Sequence, residues 1–164
     1  MNAENPKRIA PWLALATVLA LADQASKYAI SSSLRFGEVR EIAPFFNLVL
    51  AHNRGAAFSF LADAGGWQRA LFIGIAVAAT AAIVALLVRH SSERLFSAGL
   101  ALVLGGALGN LWDRVALGHV VDFLDFHAFG WHFWAFNLAD SAITVGAGLL
   151  ILDGLRSAGA AQKP

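Results

Sequence analysis

Four stretches of mostly apolar residues, at about 9–30, 69–88, 95–115 and 137–155, take up most of this chain. A hydrocarbon core roughly 30 Å thick is crossed by about 20 residues of helix, so each stretch is long enough to span a bilayer. With 58% hydrophobic and 14% charged residues, little is left from which to build a water-soluble surface. The expected fold is an all-α polytopic membrane protein, a single integral membrane domain over residues 1–164 with four transmembrane helices.

Several function classes drop out early. Cysteine is absent, which removes disulfides, thiolate nucleophiles and sulfur-ligated zinc. A formal charge of +1 and the lack of a basic run exclude nucleic acid as a partner. Gly105-Gly106-Ala107-Leu108-Gly109 has the look of a phosphate loop, but it lies inside an apolar stretch and no Lys-Ser or Lys-Thr follows it. Gly105 and Gly109, with Gly146 and Gly148, are read instead as small residues that let helices approach closely in lipid.

Lys7, Arg8, Arg89, Arg94, Arg156 and Lys163 flank the stretches on what the positive-inside rule makes the cytoplasmic side. Both termini are then cytoplasmic, and two extracytoplasmic loops remain, at about 31–68 and 116–136. Arg35, Arg40 and Arg54 in the first of them keep the bias modest. The first span also resembles a secretory signal ending at Ala20-Leu21-Ala22, although cleavage there would strand Asp23 and Lys27 at a free terminus. Alternation in Val39-Arg40-Glu41-Ile42 and in Phe46-Asn47-Leu48-Val49-Leu50, broken at Pro44, predicts a small β-sheet in the first extracytoplasmic loop. Phe123, Phe126, Phe129, Trp131, Phe133, Trp134 and Phe136 crowd the second, which reads as an interfacial aromatic belt dipping into the headgroups.

Ionisable residues inside apolar spans are costly, so each is a functional candidate to be weighed against simple pairing. Here they gather at one depth. Asp23 and Lys27 lie in the outer half of the first span, Asn110, Asp113 and Arg114 end the third, Asn137 and Asp140 begin the fourth, and Asn53, Arg54 and Asp122 sit on the same side. Singly, each has a bland account. Asp23 and Lys27 have the favourable acid-first spacing of a helical pair. Arg114 suits a helix C-terminus, where Asp113 needs a partner. Asn137 and Asp140 read as an N-cap with an acid in the first turn. Asp122 and Asp125 could mark a turn or a solvated tip.

Together they carry chemistry. Two carboxylates sharing a proton in a low-dielectric site are what an aspartic protease needs, one ionised to take a proton from water and one protonated to donate to the peptide carbonyl. Such a mechanism uses no metal, cofactor or covalent nucleophile. His52, His90, His119, His127 and His132 show no His-Glu-x-x-His pattern, and His119 with Asp122 is a weak metal pair. Ser26, Ser59 and Ser141 lack a glycine-framed nucleophile motif, with Ser141 beside Asp140 the least poor of them. From the residues alone, Asp122 and Asp125 remain alternatives for one member of the pair.

Five motifs then resemble one family in order along nearly the whole chain. They are Asp23-Gln24-Ala25-Ser26-Lys27, Phe46 through Asn53-Arg54-Gly55-Ala56-Ala57-Phe58, Gly109-Asn110-Leu111-Trp112-Asp113-Arg114, Val121-Asp122-Phe123 and Phe136-Asn137-Leu138-Ala139-Asp140-Ser141. They resemble those of the lipoprotein signal peptidases, or signal peptidase II. The resemblance implies Asp122 and Asp140 as the catalytic pair, with Asp125 non-catalytic, and Asp23, Lys27, Asn53, Asn110, Arg114, Asn137 and Ala139 supporting or lining the site. Trp112 stands where a smaller apolar residue is expected. The resemblance further implies a bacterial inner-membrane enzyme that cuts diacylated prolipoproteins on the amino side of the lipidated cysteine. Also implied are substrate support by the outer-loop sheet, a flexible part of the second loop closing over the site, and inhibition by globomycin. A monomer in contact with membrane lipid is expected. The rival reading is a non-enzymatic transporter or assembly factor using the same charges, but inverted repeats, interrupted spans and a polar path across the bilayer are not evident in the sequence.

Overall fold

The computed structural model describes residues 8–55 and 66–161. Lys7, Lys163, Ser59 and the motif end Ala56-Ala57-Phe58 lie outside the described residues. Among the described residues four helices form: α1 (Ala10–Ser33), α2 (Trp67–His90), α3 (Arg94–Ala116) and α4 (Leu138–Ala161). Their bounds fall within a few residues of the expected stretches, except that α4 runs on to Ala161. By length and composition α2, α3 and α4 can cross a membrane. α1 has the same length as α2 and α4, 24 residues, but Asp23, Gln24, Ser26 and Lys27 dilute the apolar character of its C-terminal half.

α3 is the central helix and packs against the other three. Its glycines make this possible, because lipid offers no hydrophobic drive between helices and close van der Waals contact must supply the attraction. A Cβ on Gly105 would lie 2.8 Å from the Ala16 carbonyl oxygen, and one on Gly109 would lie 2.5 Å from Asp23 Oδ2. Gly106 abuts the Ala139 carbonyl of α4, and a Cβ on Gly146 would reach the Gly99 carbonyl oxygen at 2.7 Å. Gly148 departs from the expectation: no described residue lies within 4 Å of its Cβ position, so it takes no part in the approach of the described helices. At the end away from the sheet the bundle is plugged by Ala16, Ile83, Leu87, Leu100 and Leu104, and Trp12 donates its indole N–H to the Ser91 carbonyl at 3.0 Å.

The helices are closed at the other end by a four-stranded antiparallel sheet in the order β1-β2-β3-β4. Its strands are β1 (Val39–Ala43), β2 (Phe46–Asn53), β3 (Val120–Ala128) and β4 (Trp131–His132). The sheet is therefore not confined to the first loop, as expected, but draws half its strands from the second. The run Val120 to Phe126 is made of branched, aromatic and acidic residues bounded by Gly118 and Gly130, a strand pattern that its aromatic content disguised as a membrane belt. Phe129 and Gly130, at φ 52° and 78°, form the tight β3–β4 turn, both central residues being left-handed as a two-residue hairpin requires. Leu124 and Phe136 exchange backbone hydrogen bonds of 2.8 and 3.1 Å, which brings the start of α4 alongside β3.

The contrast between two glycines is testable. Gly106→Ala drives a methyl group into a backbone carbonyl and is expected to destabilise the detergent-solubilised protein by about 1–3 kcal/mol. Gly148→Ala should change stability by less than about 1 kcal/mol, in the favourable direction set by helix propensity. Thermal unfolding of both variants checks this, and equal midpoints would contradict the close α3–α4 crossing.

Candidate functional site

The charged residues of α1 cannot be understood singly. Asp23, Lys27 and Asp113 are 0%, 3% and 1% exposed, so every charge must be answered from within the protein. The Lys27 ammonium has three N–H bonds and meets three acceptors: Asp23 Oδ2 at 2.7 Å, Asp113 Oδ2 at 2.9 Å and Asn110 Oδ1 at 2.9 Å. Both carboxylates reach further. Asp23 Oδ1 accepts the Ala139 N–H at 2.9 Å, fixing the first turn of α4, and Asp113 Oδ2 accepts the Val121 N–H at 3.0 Å, fixing β3. Gln24 closes the group by donating to Asp113 Oδ1 at 2.8 Å and to the Gly109 carbonyl at 3.1 Å.

The favourable helical pair expected of Asp23 and Lys27 is present, but it is one edge of a network that ties α1 to α3, α4 and β3. Gln24 and Asp113 are absent from the set of site residues expected from sequence. Periodicity held the signal, since positions 23, 24 and 27, like 110 and 113, share one helical face.

Asn137 caps α4, accepting the Asp140 N–H on its side-chain oxygen at 2.9 Å, while Asp140 Oδ2 accepts the Asn137 N–H at 3.3 Å. This reciprocal arrangement is a capping box with Asp in the third position, so the expected cap is real. It also serves the site, because the Asn137 amide, now held rigidly, donates to Asp122 Oδ1 at 2.7 Å. Asn110 matches it on the other side, donating to Asp140 Oδ1 at 2.8 Å, and accepts from Asn137 at 3.2 Å. Two linked amides thus bridge the carboxylates, and Lys27 anchors one of them from behind.

Asp122 and Asp140 line one cleft of about 380 Å³, walled by Asn53, Asn110, Arg114 and the apolar Phe72, Ile75 and Ile143. Arg114 does not run out to solvent. Its guanidinium donates to the Gly55 carbonyl at 2.9 Å and lies 5.3 Å from the centre of the Phe72 ring. Burial and the neighbouring Asp140 carboxylate push the Asp122 carboxyl up to about 7, against hydrogen bonds from Asn53 and Asn137 and the charge of Lys27. A larger groove of about 550 Å³ between α1 and α3 is almost wholly apolar and holds no carboxylate. Trp112, 64% exposed, forms part of its wall, so the large side chain costs no room inside the bundle.

Asp125 is elsewhere. An odd spacing along a strand turns it to the face opposite Asp122, where Asn47 donates to it at 2.9 Å and His132 meets it at 2.9 Å. Neither acid marks a turn or a solvated tip, since both are buried within β3. Ser141 spends its hydroxyl on the Asn137 carbonyl at 3.0 Å, and the His119 ring stacks on His52 at 3.8 Å. Of the expected site residues, Asn53, Asn110, Arg114, Asp122 and Asp140 meet in the cleft, and Asp23, Lys27, Asn137 and Ala139 hold them from behind.

Replacing Lys27 with Met would leave Asp23 and Asp113 buried without a counter-charge. A loss of about 3–5 kcal/mol is expected, the usual cost of removing one partner of a buried ion pair. Chemical unfolding in detergent measures it, and a loss below about 1 kcal/mol would mean that the network does not hold the helices together.

The chain matches the family model for signal peptidase (SPase) II over residues 15–156. It is 57% identical to the lipoprotein signal peptidase of Paraburkholderia phymatum over 148 residues, covering 90% of this chain and 89% of that protein. Identity to the lipoprotein signal peptidase of Burkholderia multivorans is 59% with the same coverage. Two solved structures, both described as bacterial membrane enzymes, share the fold. One superimposes with a TM-score of 0.85 at 31% identity, covering 94% of this chain and 93% of that one. The other gives 0.76 at 32% identity, covering 87% and 91%. With a bundle, a paired-carboxylate cleft and relatives that agree over nine-tenths of its length, the chain belongs to the signal peptidase II family of lipoprotein signal peptidases.

Proposed function

We propose that the chain is a membrane-embedded aspartic endopeptidase of the bacterial inner membrane that removes the signal peptide from diacylglyceryl-modified prolipoproteins. The observation that carries this reading is the convergence of Asp122 and Asp140 on one cleft, each held by an amide of the Asn137–Asn110 bridge. The ionised carboxylate draws a proton from water, and the oxygen attacks the peptide carbonyl. Its protonated partner donates to the carbonyl oxygen, and the tetrahedral intermediate collapses when the leaving nitrogen is protonated. No cofactor enters. With the Asp122 carboxyl pushed up to about 7, the pair retains a proton as pH falls below that value.

The same reading makes α1 the fourth span. Its polar residues face α3 and are satisfied there, so the helix presents its apolar remainder to lipid. The domain then runs over residues 1–164 with both termini cytoplasmic, as the flanking basic residues favour, and the cleft lies near the outer surface. Lateral arrival of a signal helix leaves the acyl chains in lipid while the bond on the amino side of the modified cysteine reaches the aspartates. The exposed aromatics of the β3–β4 hairpin and its flank, Phe129, Trp131 and Trp134, suit contact with headgroups or substrate. We expect a monomer, inhibited by globomycin as the family resemblance implies. A transporter reading finds no polar route among the described residues, because the end of the bundle away from the cleft is filled by Ile83, Leu87, Leu100 and Leu104.

Cleavage of a diacylated prolipoprotein by purified protein in detergent, compared with the unlipidated precursor, tests the proposal. Asp122→Asn and Asp140→Asn are each expected to abolish cleavage while the protein still inserts. Activity retained in either variant removes that residue from the mechanism.

The pH profile gives an independent check. With burial and the Asp140 carboxylate pushing Asp122 up to about 7, kcat should fall as pH rises through that value and the pair loses its shared proton. Asn53 donates to the charged form and lowers the Asp122 value, so Asn53→Ala should move this falling limb to higher pH. A limb that stays in place in that variant would assign the titration to another group.

A further inference from the structure

A second pocket, of opposite charge, opens at the cleft end of the bundle. It has a volume of about 310 Å³, and Arg54, Arg69 and His119 line it together with Gln68 and Gly118; among the described residues none that lines it is acidic. Arg69 is fixed by donating Nε–H to the Arg114 carbonyl at 2.8 Å and an Nη2 hydrogen to the Val115 carbonyl at 2.9 Å, which satisfies the last turn of α3. Gly118, at φ 79°, ends α3 and leaves its side of that guanidinium uncovered, with Nη1 3.6 Å from where a Cβ would stand. Burial, joined by the charge of Arg54, holds His52 below the usual imidazole range, and burial with His52 and Arg54 does the same for His119 against the opposing Asp113 carboxylate. Two guanidinium groups facing one pocket whose described lining carries no acid suit an external anion.

The surroundings restrict which anion. The pocket sits where α2 begins and α3 ends, the level at which these helices leave the hydrocarbon in the four-span reading, on which this inference rests. Trp67, Leu71 and Leu117 are exposed beside it, apolar surface that an acyl chain can follow. A ligand with an anionic head and an apolar tail meets both conditions. We infer that this pocket binds the headgroup phosphate of an anionic membrane phospholipid at the rim of the acidic cleft. The lipid is not the substrate, since diacylglycerol carries no phosphate. Cleft and pocket share a wall, because Arg54 follows Asn53 and Arg69 holds the carbonyl of Arg114, so an occupied pocket braces two residues of the cleft.

Native mass spectrometry of the full chain, with phosphatidylglycerol or phosphatidylcholine added to neutral detergent, tests this. The wild type should retain one phosphatidylglycerol in preference to phosphatidylcholine, and Arg54→Gln should weaken retention about fivefold, the contribution of one arginine near a headgroup. Since Arg69 also caps α3, His119→Gln is the companion variant, expected to weaken retention less. Prolipoprotein cleavage by Arg54→Gln in lipid-free detergent reports separately on the fold and on the proposed protease activity. Equal retention of the two lipids, or equal retention by wild type and Arg54→Gln, overturns the inference. Displacement of the lipid by millimolar inorganic phosphate, dependent on Arg54, would overturn the lipid assignment in favour of free phosphate.

Discussion

The structure depends on one buried ammonium. Lys27 uses all three of its N–H bonds on Asp23, Asp113 and Asn110, and each of these acceptors holds another element. Through Asp23 it fixes the first turn of α4 at Ala139, through Asp113 it fixes β3 at Val121, and through Asn110 it reaches Asp140. In water such a group would gain little from its partners. Inside a bundle facing lipid, an unpaired charge has no solvent to fall back on, so the helices are held in the one arrangement that satisfies all of them. The glycines of α3 serve the same end, because Gly109 leaves room for the Asp23 carboxylate and Gly106 lets α4 come close.

From this frame the acidic cleft gains its rigidity. The capping box of α4 aims the Asn137 amide at Asp122, and Asn110 aims its own at Asp140, so the two carboxylates are oriented by groups that are themselves pinned. Preorganised dipoles of this kind cost no rearrangement when charge moves during a reaction. The apolar wall of Phe72, Ile75 and Ile143 keeps the dielectric low on the bilayer-facing side, which is what raises the Asp122 carboxyl toward neutrality. Capping of α4 and placement of the two carboxylates are here the same hydrogen bonds.

Much of the helical frame is legible in the sequence, since apolar length needs no tertiary context and predicts α1 to α4 within a few residues, apart from a longer end to α4. The sheet is less so. β1 and β2 follow from alternation about Pro44, but β3 is concealed because the residues that favour strands, Val, Phe and Leu, also favour a membrane interface. Gly148 misleads for a similar reason: small residues permit close approach without requiring it, and only the neighbour across the gap decides. Gln24 and Asp113 are visible as polar residues on shared helical faces, yet their partners lie some 90 positions apart along the chain.

The sequence by itself determined the membrane class of the protein, the approximate bounds of its four described helices and, through five motifs in order, the family. Each of these rests on local composition or on residues adjacent in the chain. Only the tertiary structure decided which carboxylates face one another, because Asp122 and Asp125 differ by a strand parity that no composition reveals, and because Asp140 meets Asp122 only when β3 pairs with the segment leading into α4. It also decided that Arg54 and Arg69 share one pocket, whose described lining holds no acid. Electrostatic partnership is a property of distance in space, and chain separation does not predict it.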